Sequence, residues 1–448
     1  MPLLFLSAGL SSATSLRDAV ARTVRTNPTI DAARANRRAT GFELRQAQGR
    51  LLPRLDLRGD VGRQLIDRPG GLSAANNNRW RTRRQVAVTV RQVLFDAWDR
   101  ANDIYKNAAR LDAAAYRVLA QSERLALDAV EAYIDVRRHR KVLAIAHRNV
   151  RRHRRILGLV NQRRRGGKSP ASEAIQTRER IAAAQAVVDQ VRQSLLEADA
   201  KFRRVVGIEP RKLEPVGFPA RLPHNRKSAL VIAAKYHPVL RAANADVDTA
   251  RFAFAQSRSE NMPVVAVEGR AAYGHDLDGT PGRDEDYSGR LTLNWRLFDG
   301  RIGRNRRREL AARQAQAQAE RDAARRGIRE AIDRAFAAYV TGGSRVASLR
   351  RRATESRRVI AAYEQEYKLS KRSLLDLLDS ENAFFSSRFQ LESVSAVHVF
   401  AAYQLAASTG QLLERLNIEP PREVTADHRE QTRTRWGMMT VKVEPLRR

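Results

Sequence analysis

The chain has no cysteine among its 448 residues, which excludes disulfide bonds, thiolate metal sites and a cysteine nucleophile. Aromatic residues are also scarce, at 6% of the chain, although hydrophobic residues make up 43%. Such a composition favours long helices over a thick globular core. The chain contains no apolar run of about 18 residues, the length that a transmembrane helix needs. A role at a membrane would therefore depend on β-strands or on a helix lying at the surface.

Acidic residues are too few to balance the basic ones. There are 83 Lys and Arg against 49 Asp and Glu, which gives a formal net charge of +34. This charge is compatible with a nucleic-acid partner. However, the basic residues are spread over the whole chain and accompany no recognisable nucleic-acid-binding motif. Charge at helical spacing is typical of a solvated helix face, so we expect no nucleic-acid partner.

The N-terminal stretch MPLLFLSAGLSSATS has the apolar run of a signal peptide. Ser11-Ser12-Ala13 follows it as a small-x-small cleavage pattern. We predict a signal peptide over residues 1–14. The positively charged start of such a peptide is missing, which would fit a true start further upstream. A buried strand is the alternative.

The sequence contains an internal repeat. Asn27-Pro28 and His237-Pro238 begin similar segments 210 residues apart, and LFD at 94–96 recurs at 297–299, an offset of 203. The second copy thus lacks seven residues within one segment, and loops tolerate such changes. We place the repeats at 15–207 and 229–415. A proline-rich linker, 208–228, joins them, and a polar tail over 416–448 is expected to be loosely ordered.

Within each repeat, apolar and polar residues alternate over two short stretches. The clearest runs from Tyr287 to Leu297, where Leu291, Leu293 and Trp295 are separated by polar residues. A period of two predicts strands with one apolar and one polar face. At about ten residues, each is long enough to cross a bilayer as a tilted strand. We predict strands over 54–66, 84–95, 263–274 and 287–298.

The rest of each repeat lacks helix breakers. No proline lies between Pro69 and Pro170 or between Pro281 and Pro420. Apolar residues there recur at spacings of three and four, as in the seam of a coiled coil. We predict long helices over 97–165, 171–206, 300–369 and 371–409. The predicted fold class is mostly α with a small transmembrane β part, built from duplicated strand-strand-long-helix repeats.

Four strands are too few to close a barrel. Closure needs about eight or more, and an open sheet edge is not tolerated in lipid. If these strands cross a membrane, several copies of the chain must contribute to one barrel. The long helices would then continue the tube away from the membrane.

At this point the sequence resembles the TolC-like outer-membrane efflux protein family over roughly residues 15–415. The repeated N/H-P start, the strand entries Leu52-Pro53 and Met262-Pro263 and the two LFD segments are similar to that family's repeats. The most specific match is YKLSKRSLLDLLD at 367–379, which resembles the family's Y-x-x-G-x-R-T-L-L-D-x-L-D stretch. GKSPASE at 167–173 is its first-repeat equivalent, again at an offset of 203.

The resemblance implies a homotrimer with a 12-stranded β-barrel in the outer membrane on an α-helical barrel that crosses the periplasm. It implies a periplasmic adaptor protein and an inner-membrane pump, of ABC or RND type, as partners, together with outer-membrane lipid. The cargo would be drugs or unfolded polypeptides. The expected location is the outer membrane of a Gram-negative bacterium.

The resemblance also assigns a gate at the helix tips. Tyr367 and Arg372 match residues that tie the coiled coil to a neighbour through an acidic and a hydroxyl side chain, here Glu173 and Ser172. Asp376 and Asp379 match acidic rings at the narrowest point of the pore.

The helix-tip turns are assigned to Gly166, Gly167 and Ser370. Ser370 departs from the family because it replaces a glycine, which leaves the turn less freedom for positive φ. Arg372 lies a few residues before Asp376 and Asp379 and is expected to point to a different side, which suits an interchain contact rather than pairing within its own helix.

Other readings of these residues are weaker. GGKS at 166–169 lacks the upstream glycine of a phosphate-binding loop, because position 162 is Gln. Histidines 139, 147 and 153 do not have the spacing of helical metal pairs. Asp376 and Asp379 could form an acid/base pair only in a cleft, and otherwise they would be ordinary helix surface. We expect no enzyme activity, no metal site and no cofactor.

The sequence therefore predicts an export channel across the outer membrane and periplasm with a coiled-coil gate. The alternative is a basic protein of long helices, cytosolic or periplasmic, that binds nucleic acid or a membrane surface or acts as an adaptor.

Overall fold

The structure is a computed structural model that describes residues 13–435 apart from positions 69, 71 and 74. The predicted signal peptide lies outside the described residues except for positions 13 and 14, and Thr14 there forms a parallel bridge with Leu213. Residues 436–448 of the predicted tail also lie outside them.

The described residues form ten α-helices and four strands, which confirms the predicted fold class of mostly α with a small β part. The helices are α1 (Leu16–Thr26), α2 (Pro28–Gly49), α3 (Asp99–Arg165), α4 (Ala171–Val206), α5 (Arg226–Tyr236), α6 (Pro238–Gln256), α7 (Ile302–Lys368), α8 (Leu374–Ser408), α9 (Leu412–Arg415) and α10 (His428–Arg435). The strands are β1 (Arg54–Ile66), β2 (Arg79–Phe95), β3 (Val264–His275) and β4 (Arg283–Asn294). Among the described residues, no helix is long and apolar enough to cross a membrane.

The sequence repeat is also present in the backbone. Left-handed conformations recur at the offset of 203 in four pairs of positions: Ala97 and Gly300, Trp98 and Arg301, Gly167 and Ser370, Gly207 and Gly410. The first two pairs directly precede α3 and α7, and the other two follow the ends of α3, α7, α4 and α8, so each pair lies at a helix boundary at the same place in the two repeats. Because only glycine adopts this conformation at little cost, the non-glycine members carry local strain.

Several elements begin later or earlier than their sequence patterns predict. α3 begins at Asp99 rather than 97, and α7 at Ile302 rather than 300, because the two residues before each are left-handed. α8 begins at Leu374 rather than 371, because Ser373 is its N-cap. β2 begins at Arg79, ahead of the predicted 84, and β4 covers Arg283–Asn294 instead of 287–298. Pairing of His275 with Arg283 sets the start of β4.

The chain divides into two compact units, and both include parts of α3 and α7. Among the described residues, one unit comprises 13–35, 116–241 and 323–424. Its main core contains the fully buried rings of Tyr133 and Phe202, packed at a centroid distance of 6.3 Å. A second, smaller core contains Tyr367, Leu374, Leu377 and Leu378 and lies beside the two helix tips described below.

The other unit contains the sheet. The four strands are antiparallel in the order β1-β2-β3-β4. Leu57 pairs with Val88, Val88 with Ala271, and Ala271 with Tyr287. This register places the alternating apolar residues of all four strands on one face, where Leu57 and Leu291 are each 71% exposed. Within the described chain, β1 and β4 each have a strand partner on one side only.

The same unit holds part of the tail that was predicted to be loosely ordered. That prediction is wrong for α10, which is anchored by buried carboxylates. Asp112 of α3 is 1% exposed at its side chain and accepts hydrogen bonds from His428 and Arg429. Arg429 also pairs with Asp248 of α6 at 2.5 Å. These partners are more than 180 residues away in sequence, so composition of the tail alone could not predict them.

Candidate functional site: the two helix tips

The candidate site lies where α3 turns into α4 and where α7 turns into α8. Both first helices end in the same motif. The N–H of Lys168 donates to the carbonyl of Arg163, and the N–H of Lys371 donates to that of Glu366, each at 2.9 Å. Gly167 has φ +71° and Ser370 has φ +61°. This pattern is a Schellman cap, in which one left-handed residue satisfies carbonyls left free at a helix end.

The two second helices begin differently. α8 has a capping box, because the Ser373 hydroxyl accepts from the N–H of Asp376 at 3.1 Å while the Asp376 carboxylate accepts from Ser373. α4 follows Pro170, which supplies no side-chain cap. Asp376 therefore has a structural role in its own helix.

Tyr367 and Glu173, two of the predicted latch residues, are in contact within one chain. The Tyr367 hydroxyl donates to Glu173 Oε2 at 2.9 Å. Tyr367 is 2% exposed, and this burial raises the pKa of its hydroxyl. The bond thus joins α7 to the first turn of α4, next to the apolar core beneath the tips.

Arg372, the other predicted latch residue, pairs within the chain. Its Nε donates to Glu366 Oε2 at 2.8 Å, and its guanidinium lies 4.3 Å from the centre of the Tyr363 ring. The hydrogen bond that Arg372 donates to the Glu366 carboxylate raises the pKa of Arg372. The tight turn at Ser370 brings Arg372 back to the end of α7, so this ion pair lies within one chain. The contact of Arg372 with a neighbouring chain stays a prediction. Ser172 is exposed on the first turn of α4.

Sequence reasoning missed Arg163, which reaches from the α3–α4 tip to the α7–α8 tip. Its Nη1 donates to the Tyr367 carbonyl at 2.7 Å, and its Nη2 donates to the Ser370 hydroxyl at 3.0 Å. The guanidinium also lies 4.6 Å from the centre of the Tyr367 ring. Arg163 thus adds a charged donor to the carbonyls at the end of α7, where the helix leaves acceptors incompletely paired.

The internal repeat of the sequence contains a feature that could have indicated the role of Arg163. Arg163 and Glu366 are equivalent at the offset of 203, as are Ser169 and Arg372. Both repeats make this contact across the turn between their two helices. In the first repeat Arg163 Nε lies 3.4 Å from Ser169 Oγ, and in the second repeat Glu366 pairs with Arg372. The opposite charges of Arg163 and Glu366 mark a position where the two repeats have diverged.

Asp376 and Asp379 are one turn apart on α8. The Asp379 side chain is 61% exposed and lies 3.4 Å from Arg180 Nη2 of α4. Asp376 is partly buried in its capping box. Within the described residues, no group of three or more histidine, aspartate or glutamate side chains is placed to hold a metal ion.

Comparisons with known proteins give a consistent result. The profile of the family described as outer membrane efflux protein matches residues 19–208 and 229–411. The outer membrane efflux protein BepC of Brucella suis biovar 1 (strain 1330) is 24% identical over 371 residues, which is 81% of this chain and 80% of BepC.

Solved structures have the same fold. The outer membrane protein VceC of Vibrio cholerae is 14% identical with a TM-score of 0.79, over 88% of this chain and 96% of that one. The MtrE outer membrane channel of Neisseria gonorrhoeae, in its open state, is 16% identical with a TM-score of 0.75, over 89% of this chain and 90% of that one.

Proposed function

Because the chain belongs to the outer membrane efflux protein family and is an outer-membrane efflux channel, we propose that it works as a homotrimer gated at its helix tips. The observation that carries the trimer is the sheet, with its exposed apolar face and its two edges that lack a strand partner within the chain. An edge is costly in lipid because its N–H and C=O groups have no partner. Three sheets joined edge to edge would supply twelve strands and leave no edge.

The tips of α3–α4 and α7–α8 are proposed as the periplasmic gate. The bond of Tyr367 to Glu173 joins the two tips within one chain, and the ion pair of Arg372 with Glu366 closes the α7–α8 tip on itself. Arg372 is partly exposed, so its guanidinium can also reach a hydroxyl such as that of Ser172 in a neighbouring copy. Exposed ion pairs contribute only about 0.2–1 kcal/mol each, so a docking partner could release them.

The aperture itself is proposed to be lined by Asp376 and Asp379. In a trimer, three copies of each aspartate would surround one axis and place six carboxylates there. Such a ring attracts cations and repels anions. The pairing of Asp379 with Arg180 and the capping role of Asp376 would moderate this charge.

We propose a periplasmic adaptor protein and an inner-membrane pump as partners, because a channel of this family carries cargo that another component delivers. Purification of the intact complex after crosslinking in cells tests this part. Recovery of the channel with neither component would contradict it.

Planar-bilayer conductance of the purified trimer tests the gate. We expect low resting conductance in the wild type and higher conductance in Tyr367→Phe and in Arg372→Gln, because each variant loses one tip bond. Arg351→Gln, which changes an exposed arginine of α7 outside the tips, is the matched control. Unchanged conductance in both tip variants would refute the gate, and a monomer that does not conduct would refute the channel assembly.

A further inference from the structure

A cleft of about 740 Å³ lies between α3, α7 and α8, within one compact unit, and its lining includes none of the tip residues. Its polar lining is unusually basic. Six arginines and two glutamates line it, which leaves a formal excess of four positive charges: Arg148, Arg152, Arg155, Arg350, Arg357, Arg388, Glu364 and Glu381.

Only one of these arginines is neutralised by the glutamates of the cleft. Arg152 pairs with both Glu364 and Glu381, and Glu381 is only 3% exposed. Among the described residues, Arg148, Arg350 and Arg357 form no ion pair. All three are exposed residues, named here the rim arginines, so their positive charge is available to a ligand.

The floor of the cleft is apolar. Phe384 and Phe385 of α8 line it together with Ile145, Ile360 and Leu391. Phe385 also packs against Phe389 at a centroid distance of 5.9 Å, so the aromatic group is held in place. A small inorganic anion would satisfy the arginines but would leave this floor unused. A neutral apolar molecule would cover the floor but leave the guanidinium groups without a partner.

We propose that this cleft binds an organic anion with an aromatic or other apolar body, such as an aryl sulfonate or aryl carboxylate. The anionic group would accept hydrogen bonds from the rim arginines, whose planar guanidinium groups suit oxyanions. The apolar body would lie on Phe384 and bury its surface there. The site is separate from the gate, because none of the helix-tip residues lines it.

The proposal is tested by titrating the full-length trimer in detergent with naphthalene-2-sulfonate, with empty micelles as the blank. The rim variant Arg148→Gln/Arg357→Gln removes two unpaired arginines from the cleft. Arg151→Gln/Arg351→Gln is the matched control, because it removes the same charge from the same two helices outside the cleft. We expect the rim variant to bind about fivefold more weakly, a factor that corresponds to about 1 kcal/mol, because two exposed charge contacts are lost. The control should bind as the wild type does.

Two further ligands and one further variant separate the chemical classes. We expect 2-naphthol and methanesulfonate each to bind at least about tenfold more weakly than naphthalene-2-sulfonate, a factor that corresponds to about 1.4 kcal/mol. Phe384→Ala should weaken naphthalene-2-sulfonate and leave methanesulfonate unchanged. Equal binding of the neutral naphthol would overturn the role of the arginines, and equal binding of methanesulfonate would overturn that of the apolar floor. Equal loss in the rim variant and its control would overturn the location. Circular dichroism melting of each variant shows that the fold is retained.

Discussion

Ser370 occupies a backbone conformation that suits glycine better. Its φ is +61°, and its equivalent Gly167 has φ +71° in the same Schellman cap. In the sequence, this serine stands where the family that the chain resembles has glycine, and the sequence left open whether the turn would change. The turn is retained, and the serine hydroxyl accepts a hydrogen bond from Arg163. That bond offsets part of the strain.

Replacing Ser370 with glycine should stabilise the tip. A left-handed non-glycine residue costs about 1–2 kcal/mol, and the lost hydrogen bond is worth about 1 kcal/mol, so we expect a net gain below about 1 kcal/mol. Thermal unfolding followed by circular dichroism measures this gain. Gly167→Ala is the opposite change at the equivalent position and should destabilise the protein by about 1 kcal/mol or more. A gain in stability from both changes would contradict this account of the turns.

Glu123 of α3 is a buried acid with an unusual environment. Its carboxylate accepts hydrogen bonds from the backbone N–H groups of Leu412 and Leu413, at 2.9 and 3.2 Å. Burial raises the pKa of Glu123 from 4.5 to about 7. The folded protein therefore binds this proton more tightly than the unfolded chain does.

The free energy of unfolding should consequently fall as the pH rises from about 4.5 to about 7. The stabilisation is fully present below the unfolded pKa, and the shift corresponds to a loss on the order of 3 kcal/mol above the folded pKa. Glu123→Gln cannot titrate, so its stability should change less with pH over this window. Melting temperatures at pH 5, 6, 7 and 8 for both proteins check the difference. Parallel pH profiles would show that Glu123 ionises normally.

At the scale of elements, local sequence patterns predicted β1 and the long helices well. They failed for elements whose bounds or formation depend on contacts with residues far away in sequence. Alternation alone indicated Arg54–Ile66, and the absence of proline indicated α3 and α7. The start of β4 depends on pairing with β3, and α10 depends on Asp112. Arg163 contacts backbone carbonyls that belong to the other repeat. No local pattern contains these partners.

The first turns of α8 allow its two aspartates to be distinguished. Asp376 closes the capping box with Ser373, whereas Asp379 makes one long contact to Arg180 on the surface. Asp376→Ala should therefore destabilise the protein by about 1 kcal/mol, while Asp379→Ala should change its stability by less than about 0.5 kcal/mol.

The aperture proposal makes a second prediction for the same two variants. If both aspartates line the pore, both variants should reduce its preference for cations, because each removes three carboxylates from the trimer. Reversal potentials in a potassium chloride gradient measure this preference. A shift in neither variant would leave Asp376 as a cap and Asp379 as ordinary helix surface.

At the scale of the whole molecule, the chain consists of two equivalent repeats that have become unequal at the tips. The four pairs of left-handed positions remain equivalent, but Arg163 in one repeat corresponds to Glu366 in the other. Arg163 reaches from the first repeat to Tyr367 and Ser370 of the second. Glu366 instead stays with Arg372 of its own repeat. The first repeat therefore contacts the second through Arg163, whereas, among the described residues, the equivalent residue Glu366 makes no such contact back to the first repeat.

Arg163 should accordingly hold the two tips together as one body. Arg163→Gln loses the bonds to the Tyr367 carbonyl and the Ser370 hydroxyl, each worth about 1 kcal/mol, together with the stacking on the Tyr367 ring. We expect a higher resting conductance than in Arg164→Gln, its exposed neighbour with the same charge. Because Arg163 and Tyr367 touch, the effects of Arg163→Gln and Tyr367→Phe on conductance should not be additive. Additive effects on conductance would mean that Arg163 and Tyr367 hold the tips independently. The tips would then open in two separate steps.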